Sequence, residues 1–171
     1  MGFYYRTRLS EKARLRGTFY EGDLDILDGA GDVPLPISGN RSERYGGNLD
    51  VRLGGLSAFG QVVHETLAGL PRTGFEVEAG WRIVLGDLAD PGALFPAIQP
   101  AIRFSRLEND FHAPPAFVAP SFAWDWEKLD VGLRVTIVER LDLTLEYAHH
   151  DVAAPRKIRH DEALATLRLR L

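Results

Sequence analysis

Apolar and polar residues alternate over most of this chain, the period of a pleated strand, and the helical period of 3.6 is hard to find. The clearest run is Gly74 to Leu85, where Phe75, Val77, Ala79, Trp81, Ile83 and Leu85 share a face opposite Glu76, Glu78, Gly80 and Arg82. Leu129, Val131, Leu133, Val135 and Ile137 oppose Asp130, Gly132, Arg134 and Thr136, and Leu141, Leu143, Leu145 and Tyr147 oppose Asp142, Thr144 and Glu146. Ala163, Ala165, Leu167 and Leu169 oppose Glu162, Leu164, Thr166, Arg168 and Arg170. Near the start, Phe3, Tyr5 and Thr7 oppose Arg6 and Arg8, while Ala13, Leu15, Gly17 and Phe19 oppose Arg14 and Arg16. Leu49, Val51 and Leu53 oppose Asp50 and Arg52, and Ile98, Ile102 and Phe104 oppose Gln99 and Arg103. In Ser57 to Thr66 neither face is clean, because Phe59 and Val63 share one with Gln61 and Glu65.

The pattern predicts nine strands, at about 2–9, 13–20, 45–53, 57–67, 74–85, 97–107, 125–138, 141–149 and 161–171. Several have the ~9–11 residues that a tilted strand needs to cross a bilayer. Ser10-Glu11-Lys12, Gly54-Gly55 and Glu139-Arg140 read as tight turns, and 21–44, 109–124 and 150–160 as long loops. Short turns at one end and long loops at the other is the pattern of outer-membrane barrels. Two segments break it: 86–96 is too long for a turn, and 67–73 is only moderate for a long loop.

With the short turns placed in the periplasm, Phe3, Tyr5, Phe19, Tyr45, Phe75, Phe104 and Tyr147 gather at the outer end of the apolar faces. Aromatic rings favour such an interface. Trp124 and Trp126 have the right height but the wrong parity, and a bulge would be needed to turn them. The fold expected is therefore all-β, an antiparallel transmembrane β-barrel segment over residues 1–171. An odd strand count makes it the C-terminal portion of a longer barrel, since single-chain bacterial barrels have even numbers. Periodicity alone also fits a soluble barrel with its apolar face inward.

Composition narrows the classes. The chain has 171 residues, 45% apolar and 26% charged, with no apolar run long enough for a transmembrane helix. A net charge of −4 argues against a nucleic-acid partner. No cysteine is present, which removes thiolate chemistry. Met1-Gly2-Phe3-Tyr4-Tyr5-Arg6 lacks a basic region followed by an apolar one, so an exported barrel is expected to be a processed chain or a fragment.

Arg6, Arg8, Arg14, Arg16, Arg52, Arg82, Arg103, Arg134, Arg168 and Arg170 fall on the polar side of their strands and are the candidate pore-lining residues. Arginine ladders lower the barrier for anions. The opposing reading balances them against Asp50, Glu76, Glu78, Asp130, Asp142, Glu146 and Glu162, giving an ion-paired wall without selectivity. The acidic run Glu21 to Asp32 lacks the ligand spacing of an EF-hand and reads as a solvated loop. His149, His150 and His160 could meet across a loop but have no supporting ligand geometry, so no metal, cofactor or catalytic residue is expected. Glu76 and Glu78 share a face as strand periodicity requires, and no nucleophile, phosphate-loop or dinucleotide motif is present.

The stretch Ile98-Gln99-Pro100-Ala101-Ile102-Arg103-Phe104-Ser105-Arg106-Leu107-Glu108 resembles a strand of the phosphate-selective porin O and P family, which reads apolar-Gln-Pro and then Arg-aromatic. The order from Lys128 to Leu171 is similar to the end of that family: a Gly-containing strand, a tight turn, a strand ending Glu146-Tyr147, a polar loop, and a last strand opened by Asp161-Glu162. Leu171 departs from it, standing where an aromatic is usual. The resemblance implies a homotrimer of barrels of about sixteen strands in the bacterial outer membrane, passing small anions such as phosphate. The expectation is thus a passive channel, not an enzyme, with outer-membrane lipid and small solutes as partners. A non-conducting outer-membrane barrel and a soluble ligand-binding barrel are the alternatives.

Overall fold

The computed structural model describes residues 2–8, 13–23, 41–87, 90, 92–110, 124–153 and 157–170. They form one antiparallel sheet: β1 (Gly2–Arg8), β2 (Ala13–Asp23), β3 (Arg41–Leu53), β4 (Leu56–Leu67), β5 (Leu70–Trp81), β6 (Ile83–Val84), β7 (Ala97–Asn109), β8 (Asp125–Val138), β9 (Leu141–Ala153) and β10 (Lys157–Leu169). Each strand pairs with its neighbour in sequence, and β6 prolongs β5, because Gly80 opposite Ala101 and Ile83 opposite Ile98 share one register. That register sets Trp81 opposite Pro100, which has no N–H to give, so the ladder is interrupted there. The sheet therefore has nine strands and is not closed, with β1 and β10 as its edges. Eight antiparallel steps separate the edges, so they run in the same direction.

Gly54-Gly55 and Glu139-Arg140 are two-residue turns at the same end of the sheet, its short-turn end. The moderate loop expected at 67–73 is instead a tight turn at the other, long-loop end. Ala68 and Gly69 both have positive φ, 51° and 81°, the signature of a type I′ hairpin. Ala68 hides that signal, because alanine seldom takes this conformation. The 86–96 connection is long, as its sequence indicates. It is tied back where Phe95 N–H donates to the Ile137 carbonyl at 2.9 Å. Ile137 is the extra residue of a bulge between Thr136 and Val138, so its carbonyl is free of the ladder.

Strands extend further toward the long-loop end than alternation predicts. β3 begins at Arg41, β9 runs to Ala153 and β10 begins at Lys157. The added positions on the otherwise apolar face are charged, and ion pairs hold them: Arg41 with Glu21, Arg159 with Asp151 at 3.1 Å, and Lys157 with Asp151 at 3.1 Å. An apolar/polar reading stops where the apolar residues stop. The acidic run accordingly begins inside β2, and residues 24–32 of it lie outside the described residues.

Residues opposed in an antiparallel pair share a face, so the register sorts every strand. Tyr45, Leu49, Val51 and Leu53 share a face with Leu56, Ala58 and Val62 of β4 and with Phe75, Val77, Ala79 and Trp81 of β5. The ambiguity in β4 is thereby resolved, with Phe59 and Val63 on the polar side. The apolar face continues through Ile102, Val131, Tyr147 and Ala163.

Burial is inverted relative to a packed core. Every buried strand side chain among the described residues lies on the polar face: Ser42, Glu65, Leu70, Ala97, Ser105, Asp142 and Ala148. Conversely, the exposed large apolar strand side chains all lie on the apolar face, except Val84, Ile158 and Leu164. Val131 is 47% exposed and Leu167 65%, whereas Asp142 is 1% exposed. A curled sheet crowds side chains on its inner side and spreads them on its outer side. The polar face is the crowded one.

Candidate functional site

The polar face near the short turns gathers the arginines. Arg52 closes β3 beside the Gly54-Gly55 turn, and Arg82 sits in the gap between β5 and β6. Arg82 is held there by its N–H, which donates to the Gly55 carbonyl at 2.8 Å. A Cβ on Gly55 would stand 2.3 Å from the Arg82 carbonyl oxygen, so only glycine allows this approach. Gln99 of β7 and Arg134 of β8 are register partners. Two clefts open on this end. One, of about 430 Å³, is lined by Asp50, Arg52, Ser57, Arg82, Gln99 and Arg134 among others. The other, of about 420 Å³, includes Arg82, Gln99, Arg134, Thr136, Asp142 and Arg168. Arg82, Gln99 and Arg134 belong to both.

The ten candidate arginines divide into groups. Arg103 donates to Asp130 at 2.9 Å, Arg168 donates to Asp142 at 2.9 Å, Arg170 also reaches Asp142, and Arg52 lies 3.5 Å from Asp50. These obey the ion-paired reading. Arg16 is engaged as well. Arg14, Arg82 and Arg134 are exposed and have no carboxylate partner among the described residues. Arg6 and Arg8 are opposite Arg16 and Arg14 in the β1–β2 register, and their side chains lie outside the described residues. Like charges directly opposite one another destabilise a strand pair unless something neutralises them. Arg8 and Arg14, Arg52, Arg82, Arg134, Arg168 and Arg170 thus lie along the short-turn half of the sheet, and Arg103 sits deeper.

Further from the short turns the face is paired. Glu76 accepts from Ser105 at 3.0 Å, and Lys128 lies 2.9 Å from Asp130. Glu65, 5% exposed, accepts from Arg44 Nε at 3.1 Å and Arg72 Nε at 2.6 Å, clamping β3, β4 and β5. This clamp escaped the sequence reading because Arg44 is far from Glu65 in the chain and meets it only in register, and Glu65 meets Arg72 only through the unforeseen tight turn at Ala68-Gly69. Gln99 and Thr136 were also missed as cleft residues. Uncharged polar positions in strands carry no signal of their own.

The histidines do not lie in a loop. His149 and His150 belong to β9 and His160 to β10, and His149 Nδ1 lies 2.6 Å from Asp161 Oδ1 on the outer face. His150 and His160 are register partners on the polar face. Among the described residues, no three His, Cys, Asp or Glu side chains converge as metal ligands. The bulge invoked to turn Trp126 is absent: Trp126 pairs in register with Leu107 and Val152 and faces the polar side.

No family model matches the chain, and no curated protein matches it.

Proposed function

We propose that this chain is part of the wall of a porin-type β-barrel in the bacterial outer membrane, whose polar face lines a passage for small solutes. The observation that supports it is the inversion of burial, with the polar face crowded and the apolar face bare. A soluble barrel would put Val131, Leu145 and Leu167 in its crowded interior, and a lipid-facing wall puts them outside. On β5 and β6 the apolar face runs from Phe75 to Ile83, about 26 Å along the strand and about 20 Å after a tilt of about 40°. This is close to the outward apolar band of ~25 Å seen in such barrels. The band stops sharply. Beyond Phe19, Tyr45 and Phe104 along their strands the same face turns to Glu21, Glu43 and Arg106, and beyond Leu129 and Ala163 to Glu127 and Asp161, with Phe75 level with Arg106. Closure with antiparallel neighbours throughout requires an odd number of further strands between β10 and β1. Homotrimer assembly rests on the family resemblance alone.

Lipid contact is tested with single-tryptophan variants in vesicles of brominated phospholipid. Trp81, 62% exposed on the apolar face, should be strongly quenched and Trp126 weakly. Equal quenching, or none at Trp81, would overturn the reading.

The unpaired Arg82 and Arg134 favour anions at the short-turn end, since a guanidinium fork holds an oxyanion with two bonds. In planar bilayers, replacing both with alanine should lower the anion-to-cation permeability ratio several-fold. Replacing Arg106, on the outer face, should leave it unchanged.

A further inference from the structure

The polar face carries one row that is not polar. Near the long-loop end, Val63 stands level with Gly74, Gly74 with Leu107, Leu107 with Trp126, Trp126 with Val152, and Val152 with Ile158. Ser105, Lys128, His150 and His160 run along its short-turn side, and Arg72 and Asn109 along the other. Lipid does not explain this stripe, which is on the wrong face. Core packing does not explain it either: Ile158 is 47% exposed, and Leu107, Trp126 and Val152 are only half-buried.

Ser105, Lys128 and Arg72 are bonded to carboxylates, but three other atoms beside the stripe have no hydrogen-bond partner. Asn109 Oδ1 and Trp124 Nε1 are shielded from solvent without a hydrogen-bond partner; His150 Nε2 is shielded too and faces only the Glu162 carboxylate at 3.6 Å, beyond hydrogen-bond reach, and these three are the only such side-chain atoms among the described residues. Each orphan of this kind costs on the order of 1–3 kcal/mol. All three flank the same stripe. Trp124 lies two residues before Trp126, and His150 is opposite Lys128, two residues beyond. The lane from Trp124 to Lys128 is about 13 Å long.

The chemistry on offer is a flat indole with an acceptor, a donor, and a ring nitrogen that can serve as either. A pyranose ring answers it, with an apolar C–H face and a rim of hydroxyls that both donate and accept. An oxyanion answers it poorly, because the Asn109 oxygen can only accept. We propose that this lane binds a neutral sugar, its ring face on Trp126 and its hydroxyls on Asn109, Trp124 and His150. The lane is distinct from the arginine clefts at the other end of the strands, and it does not require the sheet to close.

Titration calorimetry on the folded full chain, with maltotriose as probe, tests it. Saturable binding is expected, weakened about ten-fold or more by Trp126→Leu, which keeps the apolar row but removes the flat ring. His150→Ala should weaken binding several-fold, and Trp81→Leu, on the opposite face, should leave it unchanged, with circular dichroism verifying that each variant folds. Absence of saturable heat, equal affinity in Trp126→Leu, equal losses in Trp81→Leu, or equally tight binding of inorganic phosphate abolished by Trp126→Leu would each overturn the proposal. Lipid quenching of Trp81 reads the barrel separately, so either reading can fail without the other.

Discussion

Arg168 stands directly opposite Asp142 in the last hairpin and donates to its Oδ2 at 2.9 Å, on a carboxylate that is almost wholly covered. Arg170 reaches the same oxygen, and the Thr136 hydroxyl donates to Oδ1 at 3.1 Å. One carboxylate therefore joins β8, β9 and β10. Removing one partner of a buried pair costs several kcal/mol, but both guanidiniums are half exposed and water screens them. Asp142→Ala should cost about 2 kcal/mol in urea unfolding from detergent. A loss below the error of the measurement would show that this carboxylate does not hold the edge strand.

The two faces should respond oppositely to the same charge. Leu133→Arg places a guanidinium in the middle of the apolar face and should cost about 2–4 kcal/mol in a bilayer. Thr166→Arg adds the same group to the polar face and should stay within about 0.5 kcal/mol. Unfolding in lipid vesicles measures both, and similar costs would contradict the assignment of faces.

At the long-loop end, beyond the apolar band, the hydrogen bond from His149 holds the Asp161 carboxyl below its usual pKa, with a second bond from the Tyr147 hydroxyl. Lys157 does the same for Asp151, joined by Arg159. A carboxyl whose pKa is depressed by folding contributes stability above its unfolded value. That contribution disappears as pH falls through the lowered value. The outer ends of β9 and β10 should therefore stay paired at neutral pH and loosen only in acid below the ordinary carboxylate range. Carbon-13 titration of Asp161 should show its pKa rise in His149→Ala. An unchanged pKa would remove His149 as the cause.

Gly55 positions Arg82. A side chain there meets the Arg82 carbonyl, which is backbone and cannot yield by rotating. Gly55→Ala should cost about 1–3 kcal/mol through the forced backbone shift. It should also reduce anion preference in bilayers, although residue 55 carries no charge. Gly54→Ala, at a position with open space around its missing Cβ, should cost only the strain of its positive φ. Equal selectivity in the two variants would show that Arg82 does not depend on this contact.

How much of this was legible in the sequence differs by kind of information. Alternation found all nine strands, because a half-covered strand must alternate. The faces of β5, β7, β8 and β9 follow directly from Phe75, Phe104, Val131 and Leu145. It did not find the outer strand ends, where Arg41, Asp151 and Lys157 pair by charge and carry no apolar beat. The turn at Ala68-Gly69 lacked the usual Asn-Gly. The arginines could be assigned to one side, but which of them had partners depended on register: Asp142 is far from Arg168 in sequence and adjacent only across the hairpin. The apolar row through Trp126 was illegible for the same reason, since each of its members looks like a lone exception within its own strand.

Because no connection skips a strand, the sheet can lengthen one hairpin at a time, each addition closing only a short stretch of chain. Every intermediate then exposes a single growing edge, and assembly is a zipper whose rate depends on the next turn rather than on distant pairings. The slowest hairpin in this chain should be the one that closes the longest stretch, between Asp23 at the end of β2 and Arg41 at the start of β3.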